Sequence, residues 1–134
     1  MIGLDTNVLL RLGDDQEPGQ RDRARALVRA QGANGCFVNA IVLAEFAWTL
    51  TRSYKFPRGD AAARIAVILE SPEFVVGSLD EASRAVDRFR HGPADFADYF
   101  LAEINASAGC ATTATFDSDA LKSGEPFAAV PTGV

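Results

Sequence analysis

Short apolar runs alternate with longer segments of helical period along almost the whole chain, and few architectures accept that pattern. The runs fall at residues 2–4, 36–38, 74–76, 111–115 and 128–130. Each is too short for a helix and reads as a strand. Between them lie a helix beginning after Asp5 and helical stretches at 18–31, 41–54, 59–70, from Ser78 to about 90, and 94–108. A brief helical piece follows Asp119. Strands separated by helices cannot close as hairpins. They pair in parallel, and a parallel sheet needs helices on both faces. The expectation is an α/β fold of three layers, with a central, mostly parallel sheet of four to five strands.

Local signals place the element ends. Ala24, Leu27 and Val28 share one face of the 18–31 helix, and Arg21, Arg25 and Arg29 another. Asn39 is an expected N-cap. Ser78 with Glu81 three residues on reads as a capping box. Gly13, Pro57, Gly92-Pro93 and Gly109 are the breakers. The 134 residues amount to one domain, 1–134, and 48% hydrophobic residues suffice for its core. No apolar run nears the roughly 20 residues of a membrane span. The first residues carry no basic leader, and Cys36 and Cys110 have neither metal-ligand spacing nor a disulfide framework. A cytoplasmic, reducing compartment is expected.

Charge narrows the function classes. Eighteen acids against 13 bases leave a net charge of −5. A protein holding nucleic acid by bulk electrostatics is usually basic, so a passive nucleic-acid coat is excluded. Four of the acids fall where the topology brings element ends together. Asp5 follows the first strand, and Asp117 follows the fourth after one residue. Asp98 opens the helix that returns to the fourth strand, and Glu45 lies about two turns into the helix after the second. All four then belong at the carboxyl edge of the sheet, where open α/β sheets bind ligands.

Four converging carboxylates repel one another unless a hard cation takes them as oxygen ligands. Mg²⁺ is the natural occupant and Mn²⁺ a substitute, because no Cys/His set is available for zinc. Setting the four aside leaves 14 acids against 13 bases, so the charge excess is concentrated in them. Simpler roles exist for each. Asp5 suits a helix cap, Asp95 and Asp98 suit a helix start, and Asp117 and Asp119 suit a turn. Glu45 lies in the apolar stretch Val42-Leu43-Ala44-Glu45-Phe46-Ala47-Trp48, where a buried acid needs a partner or a ligand, the alternative being an ordinary solvated position. His91, beside Gly92-Pro93, reads as a cap or solvated residue, which leaves no Ser/His or Cys/His mechanism.

At these positions the chain resembles the PIN-domain ribonucleases. Leu4-Asp5-Thr6-Asn7-Val8-Leu9-Leu10-Arg11 is similar to their opening motif, and the segment from Asn39 to Trp48 to their second. Asp95-Phe96-Ala97-Asp98-Tyr99-Phe100-Leu101-Ala102 resembles the third, and Thr115-Phe116-Asp117-Ser118-Asp119 the fourth. The motifs run in family order and span nearly the whole chain. The short length, with the first motif at the very N-terminus, resembles the VapC toxins of bacterial toxin–antitoxin pairs. One departure is Ala120, where many relatives carry an aromatic, so looser packing is expected there.

The resemblance implies a PIN-like fold and Mg²⁺-dependent endonucleolytic cleavage of RNA. It implies Asp5, Glu45, Asp98 and Asp117 as catalytic and metal-binding acids. Thr6, Asn7, Asp95, Thr115 and Asp119 would support them. It also implies a homodimer and a cognate antitoxin protein; the dimer is expected through the helices around Trp48 and Ile65. RNA must be held by cations outside the acids, and Arg11, Arg52 and Arg58 are the candidates. The alternatives are a Mg²⁺-dependent phosphoacceptor signalling domain and a catalytically silent PIN-like binding module. The first wants a lysine at a strand end, and neither Lys55 nor Lys122 falls at one.

Overall fold

The computed structural model describes residues 1–133. Its strands are β1 (Ile2–Gly3), β2 (Cys36–Val38), β3 (Phe74–Val76), β4 (Thr113–Thr115) and β5 (Phe127–Ala129). Its helices are α1 (Thr6–Arg11), α2 (Gln20–Gln31), α3 (Ala40–Trp48), α4 (Arg58–Glu70), α5 (Leu79–Phe89), α6 (Phe96–Ser107) and α7 (Ser118–Lys122). All strand pairings are parallel, as the alternation requires. They form two hydrogen-bonded sets, β1-β2-β3 and β4-β5. Ile2 pairs with Cys36, Cys36 with Phe74, and Thr113 with Phe127.

The inner residues of β2 are closed on both sides. Cys36 and Val38 are fully buried and belong to the same core cluster as Leu9, Leu43 and Ile65. Helix α3 packs against α1 and α6, and α5 packs against both α4 and α6. At the α5–α6 junction Phe89 meets Phe96 edge-on, and Phe96 lies against Phe100. Tyr99 is buried there with its hydroxyl satisfied: it accepts from the Ala94 N–H at 3.2 Å and meets Ser123 Oγ at 2.8 Å. No helix among the described residues is long and apolar enough to cross a membrane. Cys36 is buried and Cys110 exposed, both as free thiols.

Local expectations held in some places and failed in others. Asn39 caps α3, its Oδ1 accepting from the Val42 N–H at 2.9 Å. Ser78 does not form the expected capping box. Its φ of 58° puts it in the left-handed region and it makes no side-chain cap bond; an N-cap serine needs extended backbone to turn its oxygen onto the helix. The helix expected over 41–54 is two pieces. The α-helix ends at Trp48, and a π-helical turn, Thr49–Ser53, continues it. Ala120 is buried despite its small size. Ile65 is fully buried and cannot belong to an exposed dimer face, whereas Trp48, Val67 and Ile41 are more than half exposed.

Candidate functional site

Asp5 stands one residue beyond β1 as the N-cap of α1. Its Oδ1 accepts from the Thr6 N–H at 2.7 Å. This satisfies one of the unpaired donors of the helix start. Thr6 is buried, and its hydroxyl reaches back to Glu45 Oε1 at 3.4 Å. That long contact joins the first motif to the second. Of the two readings of Glu45, buried with a partner or solvated, the structure takes the solvated one. Its side chain is on the exposed face of α3, while Val42, Leu43, Phe46 and Ala47 take the inner face. The apolar context in the sequence belongs to its neighbours' face of the helix. Asn7, in the first turn of α1, is exposed.

The other pair lies on α6 and after β4. Asp95 is the N-cap residue of α6, and its N–H donates to Asp98 Oδ2 at 3.4 Å. Asp98 is half-buried. Burial, above all, pushes its carboxyl pKa up; the Asp95 N–H pulls it down, and the nearby charges of Asp117 and Asp95 add to the rise. Asp117 is exposed and caps α7, accepting from the Ala120 N–H at 2.8 Å, while its own N–H donates to Thr115 Oγ1 at 3.0 Å. Asp119, in the first turn of α7, is exposed.

Arginine completes the arrangement. The π-helical turn carries Arg52 to Asp95, with Nη2 at 2.8 Å from Oδ2. Asp95 above all, then Asp98 and Asp117, hold the Arg52 guanidinium above its ordinary pKa. Arg52 is thus paired with Asp95 and lies within the field of Asp98 and Asp117. Arg11 is engaged elsewhere, with Gln20, Asp14 and the Tyr54 hydroxyl. Arg58 donates to the carbonyls of Phe89, Ala94 and Pro93 at 3.0, 2.7 and 3.1 Å and stacks over the Phe89 ring. Its guanidinium is occupied by the loop before α6. Lys55 lies between the π-helical turn and α4, and Lys122 in the last turn of α7, so no strand-end lysine supports a phosphoacceptor site.

The donor set is all oxygen and suits a hard cation. Its spacing does not yet make one site. Asp5 and Glu45 communicate through Thr6, and Asp98 is close enough to Asp117 and Asp95 to feel their charge. Among the described residues, no three His, Cys, Asp or Glu side chains lie within joint metal-holding distance.

One residue of the fourth motif stands out beyond the sequence reading. Phe116, taken only as part of a turn, is 87% exposed beside Asp117. The available signal was an aromatic in a turn otherwise built of Thr, Asp and Ser.

Comparison with known proteins adds the following. The VapC20 toxin of Mycobacterium tuberculosis, which cleaves the sarcin–ricin loop, is 22% identical, with 92% of this chain and 95% of that chain covered and a TM-score of 0.46. No curated protein matches in sequence. The PIN domain family matches over residues 2–125, a span that includes all four acidic motifs. The chain therefore belongs to the PIN domain family.

Proposed function

We propose that this chain is a divalent-metal-dependent endoribonuclease, acting in the cytoplasm as the toxin of a type II toxin–antitoxin pair. The observation that carries the reading is the Asp98 carboxyl. It is half-buried, which above all disfavours its ionised form, and the like charges of Asp117 and Asp95 add to that effect. A bound cation would reverse that preference. Asp5, Glu45, Asp98 and Asp117 would hold the metal, Mg²⁺ or Mn²⁺. Its chemistry would be to offset the charge that develops on the phosphate and the leaving oxygen.

The chain's own residues do the rest. Thr6 steadies Asp5 and Glu45 through its N–H and its hydroxyl, and Asn7 would support them from the first turn of α1. Asp95 and Thr115 steady Asp98 and Asp117 through the contacts described, and Asp119 adds a further oxygen donor at the start of α7. Arg52 is the cation best placed to meet a backbone phosphate, because its resting partner is an exposed carboxylate from which it can exchange. Water attacks the phosphodiester in line and the P–O bond to the leaving oxygen breaks. No covalent enzyme intermediate is needed. The antitoxin would inhibit by placing a cationic side chain among the acids, where a guanidinium fork fits carboxylates. A homodimer would cover the exposed Trp48 and Val67.

The test is cleavage of RNA with Mg²⁺, with Mn²⁺ and with chelator. Cleavage only with added metal supports the reading, and full cleavage in chelator overturns it. The spread of the four carboxylates favours a second reading, a silent PIN-like binding module. Wild-type protein that binds RNA yet leaves it intact at every metal concentration would establish that reading instead.

A further inference from the structure

Phe116 is the most exposed large apolar side chain among the described residues, at 87%, ahead of Ile41 at 72% and Met1 at 69%. A solvated ring contributes almost nothing to the core, so folding alone gives no reason for an aromatic here. Its backbone is nonetheless held firmly. On one side Thr115 ends β4, its hydroxyl accepting the Asp117 N–H. On the other, Asp117 caps α7 through the Ala120 N–H. The ring therefore projects into solvent from a fixed turn, one residue from an acid of the proposed site.

We propose that Phe116 is a stacking platform for one unpaired nucleobase of the RNA, next to the phosphate that is cut. The inference rests on the ribonuclease reading and deepens it, since it names a substrate-positioning residue and the form of RNA accepted. The charge balance gives the reason. A chain of net charge −5 cannot hold RNA by bulk attraction. Acids surround the turn, with Asp117 and Asp119 on one side and Asp95 and Asp98 close by. A neutral aromatic face adds affinity there without opposing a cation, and every base offers a π-face to it. Only a base free of its helix can use that face, so the platform selects single strands, loops and bulges over duplex.

The experiment compares wild type with Phe116→Ala, Phe116→Leu, Phe116→Tyr and Phe116→Trp. The probe is a mixed-sequence single-stranded RNA 12-mer carrying one 2-aminopurine, free or annealed to its complement. Binding is read with Ca²⁺ in the cold by anisotropy and by quenching of the 2-aminopurine; cleavage is read with Mg²⁺. Phe116→Ala and Phe116→Leu should weaken single-strand binding and raise KM by roughly 5- to 150-fold, the range of a lost base–aromatic stack. Their kcat and melting temperature should not change. Tyr and Trp should restore both binding and quenching.

Unchanged binding by the Ala and Leu variants overturns the proposal, as does an equal loss on the duplex. So does a loss confined to inhibition by a protein partner, which would make Phe116 a protein contact. The two readings separate cleanly. Cleavage that survives Phe116→Ala with unaltered KM refutes the platform alone. Phe116-dependent binding without any wild-type cleavage refutes the ribonuclease alone.

Discussion

Replacing Arg58 by alanine should destabilise the protein substantially while acting on RNA only indirectly. Arg58 opens α4, but its guanidinium lies under the loop that joins α5 to α6. It donates to the carbonyls of Phe89 and Ala94 in a part-buried setting and to that of Pro93 at the surface. It also lies 4.7 Å from the Phe89 ring centroid. The loop is shaped around it. Gly92 has φ 55°, and a Cβ there would meet Arg58 Cζ at 3.0 Å, so both the backbone angle and the close approach call for glycine. Truncation leaves two part-buried carbonyls without donors, at about 1 kcal/mol each. The lost cation–π contact adds about 0.5–1 kcal/mol. Water can replace the donor to Pro93. The sum is about 2–3 kcal/mol, or a fall of about 10 °C in Tm for a domain of this size. Thermal unfolding followed by circular dichroism measures it. Arg58→Lys should fall between the two, since one ammonium cannot span the carbonyls that the fork reaches. The reasoning fails if Arg58→Ala melts within about 2 °C of wild type yet binds RNA at least about tenfold more weakly, because Arg58 would then be an RNA contact.

Two further outcomes follow from the site and its support. Burial raises the Asp98 pKa, so the stability it contributes is fully present below the ordinary aspartate value and is lost as pH rises through the raised one. Asp98→Asn should remove that loss and abolish cleavage; with chelator at neutral pH it should be as stable as wild type or more so, by no more than about 1 kcal/mol after solvent screening. Excess Mg²⁺ should raise the Tm of wild type more than that of the variant, and marked destabilisation of the variant in chelator would make Asp98 a structural cap. Tyr99→Phe should cost about 1–2 kcal/mol, because the Ala94 N–H and Ser123 Oγ lose a buried partner; urea unfolding checks this, and a midpoint equal to wild type would show that water fills the gap.

The alternation of short apolar runs with helical segments was enough to require parallel strands under helices, because period and length are properties of the local chain. The same holds for Asn39, whose cap uses a donor three residues away, and for Asp5 and Asp117, each of which follows a strand after one residue. Their family order was legible for that reason. Other features depend on contacts between distant segments. Glu45 looked buried because its sequence neighbours are apolar, but packing against α1 and α6 chose the opposite face of α3. Ile65 looked like surface, and the junction of α4 with α5 enclosed it. Arg58 looked free for RNA until the α5–α6 loop, more than 30 residues away, closed on its guanidinium. Arg52, on the π-helical turn after Trp48, meets Asp95 from 43 residues away, and Ser78 is left-handed where its type suggested a cap. A sequence states which groups are available. Which of them face one another is decided by packing, since side-chain partners are selected across the fold and not along the chain.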